Sequence, residues 1–202
     1  KQDKNVYWEI IMIDKDTTVC ISISKKAGNF GCIMHNNAFK EKGLNYIYKS
    51  FSVDEEMLED AIRGIRALSI RGAGVSMPYK VEVLKYIDEL SEEVLEIGAT
   101  NTLVNTNGHI KAYNTDAYSA HAVIKEYRDK FSIYSIVILG NGGYSKAVEH
   151  AVKKLSMSYR SITRKNWQDI SKIRNSIVFN CTPVDSILEN LHVSNKFIDC
   201  LT

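Results

Sequence analysis

The hydrophobic positions change period several times along the chain, and each change marks an element. Val19–Ile23 is a short apolar run with β-branched residues and reads as a buried strand. Ile33–Lys42 is helix-like and stops at Gly43, a residue suited to follow a helix end. Tyr46–Phe51 alternates as a strand. Ser52 and Glu55 have the spacing of a capping box, in which each side chain satisfies an otherwise orphaned backbone N–H. Behind them Met57, Leu58, Ala61, Ile62, Ile65 and Leu68 keep one helical face apolar. Ala73–Ser76 reads as a third strand, interrupted by Pro78. Val83, Leu84, Ile87, Leu90, Val94 and Ile97 predict a second amphipathic helix from about Val81 to Ile97. Its acidic residues, Asp88, Glu89, Glu92, Glu93 and Glu96, look like a solvated face. Thr102–Asn105, a turn with Asn107-Gly108, and Ile110–Tyr113 predict a hairpin. Helical sequence resumes near Thr115 and continues to about Lys130.

The second half changes character. Tyr134–Leu139 is nearly continuously apolar, the mark of a parallel strand covered on both faces. It runs straight into Gly140-Asn141-Gly142-Gly143 and a helix bearing Ala147, Val148, Ala151, Val152 and Leu155. Short strand candidates follow at Tyr159–Thr163, Ile177–Cys181 and Lys196–Cys200. Strand, glycine turn, helix and strand make a βαβ unit. The boundary between the halves falls within the helix after Asp116, giving expected domains at 1–117 and 118–202.

Composition narrows the function classes. The chain has 202 residues, 45% hydrophobic and 25% charged, with a net charge of +2. Such a balance argues against a dedicated nucleic-acid binder, which needs clustered cations against phosphate. No apolar stretch approaches the roughly 20 residues of a bilayer crossing, and Lys1–Tyr7 lacks an apolar signal core. Cys20, Cys32, Cys181 and Cys200 are scattered without a CxxC pair, so neither a zinc site nor a disulfide framework is expected. His109 and His192 read as turn residues and His121 and His150 as helical, none at metal-ligand spacing. Trp8 and Trp167 read as packing residues. The expectation is a cytoplasmic protein, monomer or homodimer, with a small-molecule substrate, no metal, and neither nucleic acid nor membrane as partner.

A dinucleotide turn needs one glycine for the bend and another so that backbone can approach the pyrophosphate. The following helix then presents its unpaired N–H groups. Gly140, Asn141, Gly142 and Gly143 sit where this requires, with small Ser145 and Ala147 behind them. An NAD site usually ends its second strand in a carboxylate that bonds the ribose. This chain reads Thr163-Arg164-Lys165 there, so Arg164 and Lys165 favour the 2′-phosphate of NADP.

Three polar segments close the predicted strands of the first half: Ser76-Met77-Pro78-Tyr79-Lys80, Gly98-Ala99-Thr100-Asn101-Thr102 and Asn114-Thr115-Asp116. In that order they resemble the shikimate dehydrogenase family, whose signature is Thr-x-Pro-x-Lys, then Gly-Ala-x-Asn-Thr, then Asn-Thr-Asp. The glycine turn at the family's distance, His35-Asn36 and Gly43-Leu44-Asn45-Tyr46 also match, so the resemblance covers nearly the whole chain. It implies an α/β fold with an N-terminal substrate-binding domain and a Rossmann-like NADP-binding domain. It also implies reversible reduction of 3-dehydroshikimate to shikimate by NADPH. Lys80 and Asp116 become the catalytic pair, Asn101 and Ser76 substrate ligands, and Thr182, in Asn180-Cys181-Thr182-Pro183, a neighbour of the nicotinamide. Lys80 could serve as a proton-exchanging group or as a charged donor that polarises the oxygen. A structural Lys80–Asp116 ion pair is the plain alternative.

Two departures bear on substrate. Most family members carry a Ser-x-Ser pair before His-Asn whose hydroxyls bind the substrate carboxylate. Asn29 and Gly31 stand there, in Gly28-Asn29-Phe30-Gly31, which resembles the divergent shikimate dehydrogenase-like branch. Each unreplaced bond would cost about 1–3 kcal/mol. Ser22, Ser24 or Asn29 are candidates to compensate, and quinate, aminoshikimate or another ring polyol become alternative substrates. Family members also continue past a segment like Phe197–Cys200 with a strand and helices carrying a substrate-contacting glutamine, which implies a fold incomplete at its C-terminus. The rival function is a catalytically weak ligand-binding or regulatory protein that keeps the cleft.

Overall fold

The β-branched run at the start of the chain forms a strand because both its neighbours are strands as well. β1 (Thr18–Ser24) pairs in parallel with β2 (Tyr46–Ser52) and with β3 (Gly72–Val75). In this computed structural model residues 13–184, 187, 189 and 191–199 are described. Lys1–Tyr7, Trp8 and Cys200 lie outside them. α1 (Phe30–Glu41) starts at Asn29, earlier than its apolar spacing suggests. It is tied to β2 by Asn36, whose amide donates to the Tyr48 carbonyl at 2.9 Å and whose oxygen accepts the Tyr48 N–H at 2.8 Å. An edge strand is thereby given a partner in place of solvent.

The expected Ser52–Glu55 capping box does not form. Ser52 stays in β2 opposite Ser24, and its hydroxyl accepts the Ala27 N–H at 3.0 Å. A 3₁₀ turn at Glu55–Met57 precedes α2 (Leu58–Ala67), which buries Leu58, Ile62 and Ile65 while Met57 and Leu68 stay exposed. Each fully buried aliphatic side chain contributes about 1.5–3 kcal/mol. Together they pack on Ile21, Ile23, Ala73, Val75, Leu103 and Ile110 to form the first core.

The helix expected over Val81–Ile97 is three elements. A 3₁₀ turn covers Glu82–Tyr86, β4 is Glu89–Leu90, and α3 is Glu92–Ile97. The Asp88 carboxylate accepts the Ile110 N–H at 2.7 Å and pairs with Arg66 at 2.5 Å, which draws the chain into the sheet. Glu89 pairs with Lys111 and His109, and Glu96 with Lys154, while Glu92 is exposed, so this solvated acidic face carries surface ion pairs. Ser91 caps α3 by accepting the Val94 N–H, and Gly98 ends it at φ 68°.

β5 (Thr102–Thr106) and β6 (His109–Tyr113) form the expected hairpin. Both turn residues lie in the left-handed region, Asn107 at φ 54° and Gly108 at φ 88°, as a tight hairpin requires. His109 therefore opens a strand instead of lying in the turn. The first sheet has the order β2-β1-β3-β5-β6-β4 and is mixed.

α4 (Asp116–Phe131) leads to the second sheet. β7 (Ser135–Leu139) is buried from Ile136 onward and is flanked by parallel neighbours, as its continuous apolar run predicts. α5 (Gly143–Lys154), β8 (Ser158–Ile162), β9 (Ile177–Asn180) and β10 (Lys196–Asp199) complete an all-parallel sheet of order β10-β9-β7-β8. Trp167 packs on the core beneath it. A small buried cluster, Ile97, Ala99, Ala117 and Ala147, joins the two halves. Among the described residues no helix is long and apolar enough to cross a membrane.

Candidate active site

The polar segments that close β3, open β5 and begin α4 converge on one cavity. Lys80 follows β3 in a turn anchored by Tyr79, which is fully buried and donates its hydroxyl to the Val53 carbonyl at 2.5 Å. The Lys80 carbonyl accepts the Thr100 N–H at 2.8 Å, locking that turn to the approach of β5. Asn114 does the same for α4: its amide donates to the Ala99 carbonyl and its oxygen accepts the Ala117 N–H. The side chains between these anchors then have little freedom.

Lys80 Nζ lies 2.7 Å from Asp116 Oδ2, with side chains only 16% and 14% exposed. Asn101 Nδ2 donates to Asp116 Oδ1 and to Thr115 Oγ1, each at 2.8 Å, while Asn101 Oδ1 accepts the Thr115 N–H at 3.0 Å. Asn101 thus aims the carboxylate at the lysine. Charge-assisted bonds of this kind are stronger than neutral ones, and a half-buried setting leaves them less screened by water.

The pair opens on a cavity of about 560 Å³ lined also by Ser76, Met77, Pro78, Val123, Gly142, Gly143, Tyr144, Cys181, Thr182, Ile198 and Asp199. Its far wall is the glycine turn. Gly140 adopts φ 107°, and a Cβ there would stand 2.9 Å from the Cys181 carbonyl oxygen, so only glycine fits. Gly142 has nothing within 4 Å of where its Cβ would be, leaving the backbone open to an approaching group. Ser145 donates to the Gly142 carbonyl at 2.7 Å and steadies the first turn of α5. The Gly140 N–H reaches the Ile162 carbonyl at 2.8 Å, which brings the end of β8 against the turn. Arg164 and Lys165 follow directly, exposed and without an ion pair among the described residues. Thr182 is held by Asn180, which accepts both its N–H and its hydroxyl. Open backbone at a helix start, no carboxylate at the end of β8 and two exposed cations there are what an NADP-type dinucleotide would need.

Other sequence candidates fall differently. Ser24 is buried at the end of β1, beside Ser76, whose N–H donates to the Ile23 carbonyl. Ser22 lies further back, and its hydroxyl donates to Ser50 at 2.9 Å. Asn29 is exposed at the start of α1, with no capping bond from its side chain. Ser22, Ser24, Asn29 and Asn101 do not line the cavity. Tyr144 was not singled out by sequence; the signal for it was its place one residue beyond the glycine turn. Lys80 Nζ lies 5.4 Å from its ring centroid.

A parallel sheet with a glycine turn, set against a Lys–Asp pair from a separate mixed sheet, defines a two-part α/β architecture of the dehydrogenase type. The model of the shikimate dehydrogenase substrate binding domain matches residues 30–103. A shikimate dehydrogenase-like protein of Haemophilus influenzae is 39% identical over 155 residues, covering 77% of this chain and 56% of its own. The shikimate dehydrogenase (NADP(+)) of Clostridium beijerinckii is 32% identical over 186 residues, covering 81% of this chain and 69% of its own. A solved shikimate dehydrogenase in complex with NADP+ superposes with a TM-score of 0.73 at 31% identity, over 93% of this chain and 78% of the other. The chain belongs to the shikimate dehydrogenase family. It spans about half the length of the first curated relatives it matches.

Proposed function

We propose that this protein is an NADP-dependent shikimate dehydrogenase-like oxidoreductase, interconverting 3-dehydroshikimate and shikimate or a closely related ring polyol. The observation that carries this reading is the Lys80–Asp116 pair, 2.7 Å apart and facing the same cavity as Gly142 and Gly143. Substrate-side residues then belong to 1–117 and cofactor-side residues to 118–202.

NADPH, when bound, supplies the hydride. Gly140, Asn141, Gly142 and Gly143 would hold its pyrophosphate, Arg164 and Lys165 its 2′-phosphate, and Thr182 would border its nicotinamide. Lys80 donates a hydrogen bond to the ring oxygen, favouring charge that builds on it as the carbonyl is reduced. Asp116 holds the lysine in that direction and accepts from a neighbouring ring hydroxyl, with Asn101 orienting the carboxylate. As the carbon takes the hydride, Lys80 passes a proton to the ring oxygen, and in the reverse direction its neutral amine takes the alcohol proton back. Ser76, which lines the cavity, is the candidate hydroxyl for the substrate carboxylate, with Ser24 beside it at the end of β1 and Ser22 and Asn29 as further candidates outside the cavity lining.

The test is NADP+ reduction followed at 340 nm with shikimate and with quinate, in the wild type and in Lys80→Ala. Turnover on one of these polyols that drops at least a hundredfold in the variant is expected. Undiminished turnover in Lys80→Ala refutes the lysine's role. No turnover on either, with NADPH still raising the melting temperature, identifies a cleft that binds without catalysing.

A further inference from the structure

The first turn of α5 does something that a cofactor turn does not explain. A Cβ placed on Gly143 would stand 2.6 Å from Lys80 Cβ, 3.3 Å from its Cδ and 3.4 Å from its Cγ. Three carbons of one lysine therefore lie along the bare Cα of a glycine from the other half of the molecule. Beyond them the ammonium passes over the ring of the next residue, Tyr144, at 5.4 Å from its centroid. That is within reach of a cation–π interaction, the ring face attracting the positive charge.

We propose that Tyr144 is a positioning residue for Lys80, its ring face together with the gap at Gly143 forming the seat that fixes the lysine's direction. The role in reduction rests on the dehydrogenase reading above; the seat itself does not. Asp116 fixes only the end of a four-carbon side chain that has many rotamers. Contact along its length restricts them. Among the described residues, the charged or titratable groups around the ammonium are Asp116 on α4 and Tyr144 on α5, with Cys181 after β9 and Asp199 on β10 lining the same cavity. Attraction to the ring needs its face and not its hydroxyl, so phenylalanine should replace tyrosine and an aliphatic residue should not.

The decisive measurement is the pH dependence of Lys80 acylation by an amine-reactive ester, read by peptide mass spectrometry without cofactor or substrate. Losing the ring should move the midpoint in Tyr144→Leu down by about half a unit to one unit. Acylation on the rising limb then becomes about three- to tenfold faster, while the high-pH plateau keeps its wild-type rate. Tyr144→Phe should titrate as the wild type does. If leucine prevents folding, Tyr144→Met supplies the same comparison at a similar volume, and Asp116→Asn is the control for a larger fall. An unchanged midpoint in Tyr144→Leu overturns the proposal. So does a change confined to the plateau, which would mean simple shielding, or an equal fall in Tyr144→Phe. Because no turnover is required, a failure of the dehydrogenase reading leaves this result interpretable.

Discussion

Substituting Gly143 by alanine isolates one contact between the two halves. The added carbon would lie 2.6 Å from Lys80 Cβ, where carbon atoms ordinarily rest about 3.5–4.0 Å apart, so close to 1 Å must be absorbed. The neighbour is the root of the side chain and cannot rotate away, so backbone must move. Overpacking of this kind costs about 1–3 kcal/mol. Alanine in place of glycine within a helix returns up to about 1 kcal/mol. The net loss is about 1–2 kcal/mol, a fall in melting temperature of roughly 2–8 °C for a chain of this size. The sharper form is a mutant cycle followed by denaturant unfolding. Lys80→Ala keeps the offending Cβ, so Gly143→Ala should remain destabilising in that background. Lys80→Gly removes it, so there the same substitution should be neutral or stabilising. Equal cost in the wild-type, Lys80→Ala and Lys80→Gly backgrounds would refute the contact.

Two further predictions concern the frame that holds the site. Asn105 is buried and donates to the Ile65 and Ile70 carbonyls while accepting the Gly108 N–H; the Ile65 carbonyl also accepts the Ile70 N–H, so Asn105→Leu strands two backbone groups, the Ile70 carbonyl and the Gly108 N–H. Unpaired buried groups of this kind should together cost about 3 kcal/mol, lowering the melting temperature by roughly 6–12 °C in calorimetry. Asp88 is held below the usual carboxylate range, first by the Ile110 N–H and then by Arg66. A depressed folded value stabilises above the unfolded pKa of about 3.9 and the gain is lost as pH falls through the folded value. Asp88→Asn should therefore lie below the wild type in urea unfolding at pH 6, with the gap closing below pH 4. A gap independent of pH would show that the carboxylate's charge contributes nothing.

Much of the chain could be read locally because local physics decides it. Ile136–Leu139 is apolar at every position, since a central parallel strand has no face turned to water. Asn107-Gly108 makes a hairpin turn by tolerating positive φ at both places. Gly140, at φ 107°, announces the bend before α5 for the same kind of reason. The polar segments around Lys80, Asn101 and Asp116 could be singled out by type and order, without any view of how they meet.

Where distant residues compete for a group, that reading fails. Ser52 has the spacing of a cap, yet its hydroxyl is taken by the Ala27 N–H. Residues 81–97 keep a helical period, yet Asp88 is claimed by Arg66 and Ile110, and the helix gives way to a strand of the sheet. Ser22 carries the right chemistry for a carboxylate ligand and is committed to Ser50. Periodicity, turn chemistry and the glycine bend were determined by the amino-acid sequence alone, because each depends on dihedral preferences and neighbours a few residues away. The 2.7 Å meeting of Lys80 with Asp116, and its passage over Gly143 and Tyr144, were decided only by the tertiary structure. The first distance depends on how the ends of β3 and β6 lie together in one sheet, the others on how two separately packed sheets come to rest against each other, and nothing within a few residues of any partner encodes either.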